Sequence, residues 1–290
     1  MPLSQSPPNP SDLHTTDRVP LVRLGQGAFM RDFFPDESDP AQPRSHPMPL
    51  TDSLITTTTP APPKIVVYGQ PGVGKTTFAA QAGALLIDCE NGAGAIPGLT
   101  RTPYLKTWNE MQAWLDELAI SGTPEGVGVV AIDTLDWMCN RIVEHVVIEL
   151  DPKSQGDITN TIGSAHGGYY KAREIVQNIV SRDLLPALNA ISEHGVAVLL
   201  LAHAANTKMT LPEGYDIRTA APDTPVWLTP IFTEWADAVL FATRGNDGVR
   251  ALTTEWSPTV CAKNRYSLPN PLEFSWTSLM NAMASAAPTN

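Results

Sequence analysis

The chain has 290 residues, 30 acidic against 19 basic, with a formal net charge of −11 and 42% hydrophobic residues. Length and apolar content suit one large domain with tails, and the charge is opposite in sign to that of a protein that coats nucleic acid by bulk attraction, so any such contact is expected only in a loop or channel. No apolar run approaches the roughly 20 residues that span a bilayer, Met1–Pro10 lacks the basic-then-apolar order of a signal peptide, and Cys89, Cys139 and Cys261 form no CxxC pair. The expectation is a cytoplasmic chain with no membrane partner, no zinc site and no disulfide framework.

Met1–Pro63 holds 13 of the 27 prolines and shows no sustained hydrophobic period. This predicts a mostly disordered N-terminal arm over residues 1–62. Within it, Pro20–Phe34 is apolar enough to dock, on a partner or on the chain's own domain. From Lys64 onward strands and helices alternate. Ile65–Tyr68 predicts a strand, followed by a helix from Lys75, a strand Ala84–Asp88 and a helix Trp108–Ile120 with Met111, Trp114, Leu115 and Leu118 at helical spacing. A strand Val127–Ile132 and a helix Leu135–Leu150 come next. Asp151–Tyr170, rich in Gly, Ser and Asn, is expected as a loop. A long helix Tyr170–His194, a strand Val196–Ala202 and a second loop Ala204–Val226 follow. Short strands are predicted at Ala238–Ala242, Val249–Glu255, Thr259–Lys263 and Leu272–Trp276, and residues 281–290 are expected as a flexible tail. This order implies an α/β domain over 63–280, with a mainly parallel sheet covered on both faces and a β-rich C-terminal end.

Lys64–Phe78 reads KIVVYGQPGVGKTTF. The pattern GxxxxGK[ST] occupies Gly69–Thr76 between a predicted strand and a predicted helix, which is the context a phosphate-binding loop requires. Gly69, Gly72 and Gly74 permit a tight turn with inward N–H groups. Gln70, Pro71 and Val73 lie between them, and Thr77 follows. The helix start adds a positive dipole end. Lys75 is placed to reach the β/γ-phosphates of ATP, and Thr76 to ligate Mg²⁺. Val129–Asp133 (VVAID) delivers a carboxylate at the end of a buried strand, making Asp133 the second metal candidate; a plain structural cap is the alternative. Asp88 and Glu90 lie two apart and would share a side on an extended chain. Glu90 is the candidate base for an attacking water, against a turn acid. His203 ends the apolar run Val196–Ala202, as a sensor of the γ-phosphate or as a core-edge histidine satisfied by backbone. Lys263 and Arg265 in Ala262–Leu268 (AKNRYSL) project to one side. They either complete a site on a neighbouring subunit or are solvated cations.

Together these segments resemble the RecA-type P-loop ATPase core over about residues 64–278. Glu90 in IDCE, Asp133–Thr134, His203 and Lys263–Asn264–Arg265 stand where that superfamily carries its acid, metal-site strand, polar strand end and late Lys-Asn-Arg motif. Within it the chain is most similar to compact phage-encoded nucleotide-binding proteins associated with single-strand annealing and recombination. The resemblance implies ATP and Mg²⁺ as cofactors and DNA-stimulated hydrolysis. It implies a homo-oligomer with nucleotide at subunit interfaces, and two loops that bind single-stranded DNA. Lys153, Tyr169, Tyr170, Lys171 and Arg173 are the candidates near the first loop, and Lys208 and Arg218 in the second; the tyrosines would stack on bases. A recombination or replication partner could engage residues 1–62. Two other readings stand beside this one: a nucleotide-gated adaptor or loader with little turnover, and a small-molecule or nucleotide kinase. The kinase lacks an arginine-rich lid segment.

Overall fold

The computed structural model describes residues 61–153, 158, 160–210 and 214–286. The arm expected over 1–62 lies outside the described residues except for its last two. Nine strands form one sheet: β1 (Lys64–Gly69), β2 (Leu85–Asp88), β3 (Val129–Asp133), β4 (Ala197–Thr210), β5 (Asp216–Pro222), β6 (Ala238–Arg244), β7 (Arg250–Thr253), β8 (Lys263–Asn264) and β9 (Leu272–Glu273). The spatial order is β2-β3-β4-β1-β6-β7-β9, with β5 on β4 and β8 on β6. β2, β3, β4, β1 and β6 run parallel, and the C-terminal strands join antiparallel. The mainly parallel α/β fold with a β-rich end is the one expected.

The apolar runs are continuous because both faces of the sheet are covered. Alternate residues face opposite sides. Val66, Tyr68, Ile87, Val130, Ile132, Val198 and Leu200 face one core. It is closed by α2 (Trp108–Ser121), α3 (Leu135–Glu144), α4 (Lys171–Ile179), α5 (Leu185–Glu193) and α6 (Thr229–Trp235). Ile65, Val67, Leu86, Val129, Ala131, Leu199 and Leu201 face the other core, under α1 (Lys75–Gln81) and α7 (Trp276–Ala286). In α2, Thr107 and Glu110 form a capping box, which satisfies two otherwise free N–H donors. Trp108, Met111, Leu115 and Leu118 are buried, whereas Trp114 is 38% exposed and not a core residue as its spacing predicts.

Five elements differ from expectation. The strand predicted over Thr259–Lys263 is reduced to the two residues of β8, Lys263–Asn264, paired with the start of β6. The helix predicted over Leu135–Leu150 loosens into a π-turn at His145–Glu149. The helix predicted over Tyr170–His194 is α4, a π-turn at Val180–Leu184 and α5, with Pro186 in the first turn of α5; proline has no N–H for the i−4 carbonyl, so the ladder re-phases there. Within Ala204–Val226, expected as a loop, Ala204–Thr210 and Asp216–Pro222 are strand. β4 runs straight on from the sheet and pairs with β5 from Ala204↔Pro222 to Thr210↔Asp216, forming a hairpin, and α6 begins at Thr229. Finally, α7 runs to Ala286, into the segment expected as a flexible tail.

The hairpin is tied to the centre of the sheet. The buried Tyr68 hydroxyl lies 2.9 Å from the carbonyl of Ala220 in β5 and 2.8 Å from that of Cys261, and its ring stacks on Phe241 at 5.0 Å. Tyr68→Phe removes the hydroxyl donor from the Cys261 carbonyl and leaves the Ala220 carbonyl with the Cys261 N–H at 2.9 Å, and burying an unsatisfied polar group costs about 1–3 kcal/mol. A urea titration is expected to show that loss as a lower midpoint at unchanged slope.

Candidate active site

Parallel register brings the candidate residues to one edge. At the C-terminal ends of the strands, Gly69 pairs with His203, Asp88 with Asp133, and Asp133 with Leu201. The turn after β1 follows the wall formed by β6: a Cβ at Gly69 would stand 2.5 Å from the Ala242 carbonyl oxygen, so only glycine fits. Above this edge lies a cavity of about 320 Å³, bounded by Pro71, Gly72 and Gly74–Thr77 on one side and by Glu90, Asp133, Thr134 and His203 on the other. Gln70 and Val73 turn away from it, toward a second cavity behind the loop.

Lys75 is buried and donates to the carbonyls of Gly69 at 3.1 Å and Gln70 at 3.4 Å. Burial pulls its ammonium below the usual lysine value, against the opposing pull of Asp133, Asp136 and Glu90. The Thr76 hydroxyl donates to Asp133 Oδ2 at 2.7 Å. Burial pushes the Asp133 carboxyl up to about 6, opposed by that hydrogen bond. Two hard oxygen donors therefore converge at the cavity floor, and the carboxylate there is short of positive charge. This set fits Mg²⁺ held jointly by protein and phosphate oxygens.

Glu90 accepts from the Thr134 hydroxyl at 3.2 Å. Its partner in sequence, Asp88, does not share the site. The strand ends at Asp88, Asn91 N–H turns back to Asp88 Oδ1 at 2.7 Å, and Arg101 pairs with Oδ2 at 2.9 Å. The expectation that Asp88 and Glu90 face one side fails because the chain is no longer extended there. His203 is gripped by Asp136 in the first turn of α3. Its backbone N–H donates to Oδ1 and its Nδ1 lies at Oδ2, both at 2.9 Å. That aims Nε2 toward Glu90 Oε2, 3.9 Å away. The hydrogen bond that the ring donates to Asp136 raises the His203 value above the usual one for imidazole. Although burial opposes it, the Asp136 carboxyl is held low by the same contacts.

Lys263 and Arg265 do not reach this cavity within the chain. Lys263 Nζ donates to the last carbonyls of α6, Thr233 at 3.0 Å and Glu234 at 2.7 Å. Arg265 pairs with Asp237 at 2.9 Å. Both sit where β8 meets the start of β6, at the end of the sheet opposite the loop. Among the first-loop candidates, Lys153 and Lys171 are exposed, Tyr169 is 94% exposed, and the Arg173 guanidinium covers the Tyr170 ring at 4.0 Å. Asp151 organises that segment by accepting from His166 N–H at 3.0 Å and Asn160 Nδ2 at 2.9 Å. Lys208 and Arg218 face each other across the hairpin, and Lys208 pairs with Asp216 at 2.7 Å.

Sequence reasoning missed Asp136 and Arg250, which also lines the cavity. Asp136 stands three residues after Asp133 in a first helical turn, a spacing that points both carboxylates to the same strand edge. Arg250 is an exposed strand residue with no pattern around it.

The model of the AAA domain matches residues 61–266. The chain belongs to the AAA-domain family. The match spans every residue of the cavity, from the Gly69–Thr76 loop to Arg250. It supports a P-loop ATPase, a class of AAA domain that binds nucleotide, usually with Mg²⁺. A comparison with curated proteins gave no match. No helix among the described residues is long and apolar enough to cross a membrane.

The Asp136–His203 pair has a pH signature. A raised histidine value gives stability that is complete below the ordinary 6.5 and lost as pH rises through the folded value. A lowered aspartate value gives stability present above the ordinary 3.8 and lost as pH falls through the folded value. Asp136→Asn is therefore expected to lower the melting temperature most between about pH 4 and 6.5, with the gap from the unsubstituted protein narrowing above that window.

Proposed function

We propose that this AAA-domain protein hydrolyses ATP in the RecA manner and acts on single-stranded DNA in recombination or annealing. We place it in the cytoplasm, as a homo-oligomer with nucleotide at subunit interfaces, with a recombination or replication partner engaging residues 1–62. The observation that carries this is the strand β4. It brings His203 to the phosphate cavity and continues without a break into the hairpin that bears Lys208 and Arg218.

The residues divide the work. The Gly69–Thr77 backbone and Lys75 hold the phosphate chain in the cavity, where preorganised donors and fixed charges act on it. Thr76 and Asp133 would hold Mg²⁺. When bound, the ion offsets charge on the phosphate oxygens. Glu90, steadied by the Thr134 hydroxyl, orients a water in line with the γ-phosphorus and draws its proton. His203, turned by Asp136, stands 3.9 Å from Glu90 and responds to the presence of the γ-phosphate. Lys263 and Arg265 of one copy complete the site of the next, after exchanging their internal partners for phosphate oxygens. The exposed Tyr169, with Tyr170, Lys171 and Arg173, offers stacking and charge to a single strand. Lys153, Lys208 and Arg218 add charge to its backbone.

The test is ATP turnover with and without single-stranded DNA, at one low salt concentration because such binding is salt-sensitive. Stimulation of several-fold is expected. Lys75→Ala should abolish turnover, and Asp133→Asn should raise the Mg²⁺ concentration needed for half-maximal turnover. Arg265→Ala should stop hydrolysis while ATP binding persists. Tight ATP binding without turnover under any DNA condition would instead identify a nucleotide-gated adaptor.

A further inference from the structure

We infer that Arg250 is a nucleotide-binding residue that serves the site of its own chain. The inference rests on the reading of the cavity as an ATP site, and adds to it a cation in cis.

Three observations converge. First, Arg250 lines the cavity beside Gly72, Gly74 and Lys75, facing Glu90 and Asp133 across it. Second, its position is built. The Phe274 N–H donates to the Arg250 carbonyl at 3.4 Å, and the Phe274 ring stacks on Phe78 of α1 at 4.9 Å. β7 and β9 are thereby fixed against the helix that begins the phosphate loop's far side. The guanidinium then passes so near the loop that a Cβ at Gly74 would stand 2.7 Å from Arg250 Nη1. Gly74 also has φ +106°, a conformation that disfavours any side chain there and so leaves the space over the loop to the arginine. Third, among the described residues the guanidinium forms no ion pair, unlike Arg101, Arg141 and Arg265, each of which is paired with a carboxylate.

A guanidinium held over a phosphate-binding loop, with its donors free, matches the fork geometry of phosphate oxygens. Lys75 directs two of its three N–H donors to Gly69 and Gln70, and Arg250 is a second cation that the cavity offers to a polyphosphate. Its placement differs in kind from that of Lys263 and Arg265, which sit at the opposite end of the sheet. The register partner of Arg250 on β6, Arg244, lines the cavity behind the loop, so the two arginines straddle Pro71 and Gly72.

The experiment is ATP binding by calorimetry with Mg²⁺ present, for the full chain and for Arg250→Ala, Arg250→Lys and Lys75→Ala. Removal of one charged hydrogen-bonding group predicts a loss of about ten- to hundredfold in affinity for Arg250→Ala, at an unchanged urea midpoint. Arg250→Lys should recover part of that loss, and Arg250→Gln repeats the test with side-chain length kept should the alanine variant fold poorly. Mixing Arg250→Ala with Lys75→Ala protein should restore no turnover, because both residues act on the same chain's nucleotide. Unaltered affinity in Arg250→Ala, alongside a loss in Lys75→Ala, overturns the inference and leaves the ATP site standing. Turnover restored by mixing overturns it by placing Arg250 on a neighbour's site. Absence of ATP binding in the unsubstituted chain overturns the ATP site and the inference together.

Discussion

The site depends on where four buried parallel strands stop. Side chains in the interior strands cannot slip by one residue without exchanging the two cores, so the pairing of Gly69 with His203 and of Asp88 with Asp133 is held by apolar packing far from any charge. Residues one or two positions past those pairs inherit their location. Glu90 and Thr134 meet because β2 and β3 end level, and Thr76 meets Asp133 because α1 starts immediately above β3's edge. Catalytic geometry at the edge is thus maintained by valines, isoleucines and leucines that never touch a ligand.

The same edge concentrates unfavourable charge. Asp133 is pushed up to about 6 by burial, and Lys75 is pulled down by it. Each group is less content in the folded chain than in water. A phosphate chain with its cation relieves both at once, which is how differential interaction with ligand arises at a preorganised site. By contrast, the Asp136–His203 pair is satisfied internally and sets an orientation instead of awaiting a partner.

The sheet and the phosphate loop were legible because both rest on local signals. Uninterrupted apolar runs such as Ile65–Tyr68 mark strands covered on two faces, and the glycine pattern from Gly69 needs no tertiary context. That Asp133 and Glu90 stand at the cavity was legible from their place at or just past strand ends. The hairpin was not, because Ala204–Thr210 has little β propensity; ladder hydrogen bonds, the Tyr68 hydroxyl and burial of Thr219 and Ala221 in β5 hold it. The split of α4 from α5 was signalled by Pro186 and overridden by the helical period around it. Asp88 was misread because a period-two argument holds only while the chain stays extended. Arg250 had no signal at all: its position follows from the pairing of β7 with β9 and the stacking of Phe274 on Phe78 of α1, contacts made by residues distant in sequence.

The hairpin carries one more consequence. Among the described residues β5 is paired along one side only, apart from a bridge between Ala220 and Val260 near its root. An unpaired strand edge is a template for another chain. Lys208, Asp216 and Arg218 stand along this ladder, and charges so placed make it costly for a second molecule to add its own strand. The price of an open ladder is thus offset by charge of both signs set along it.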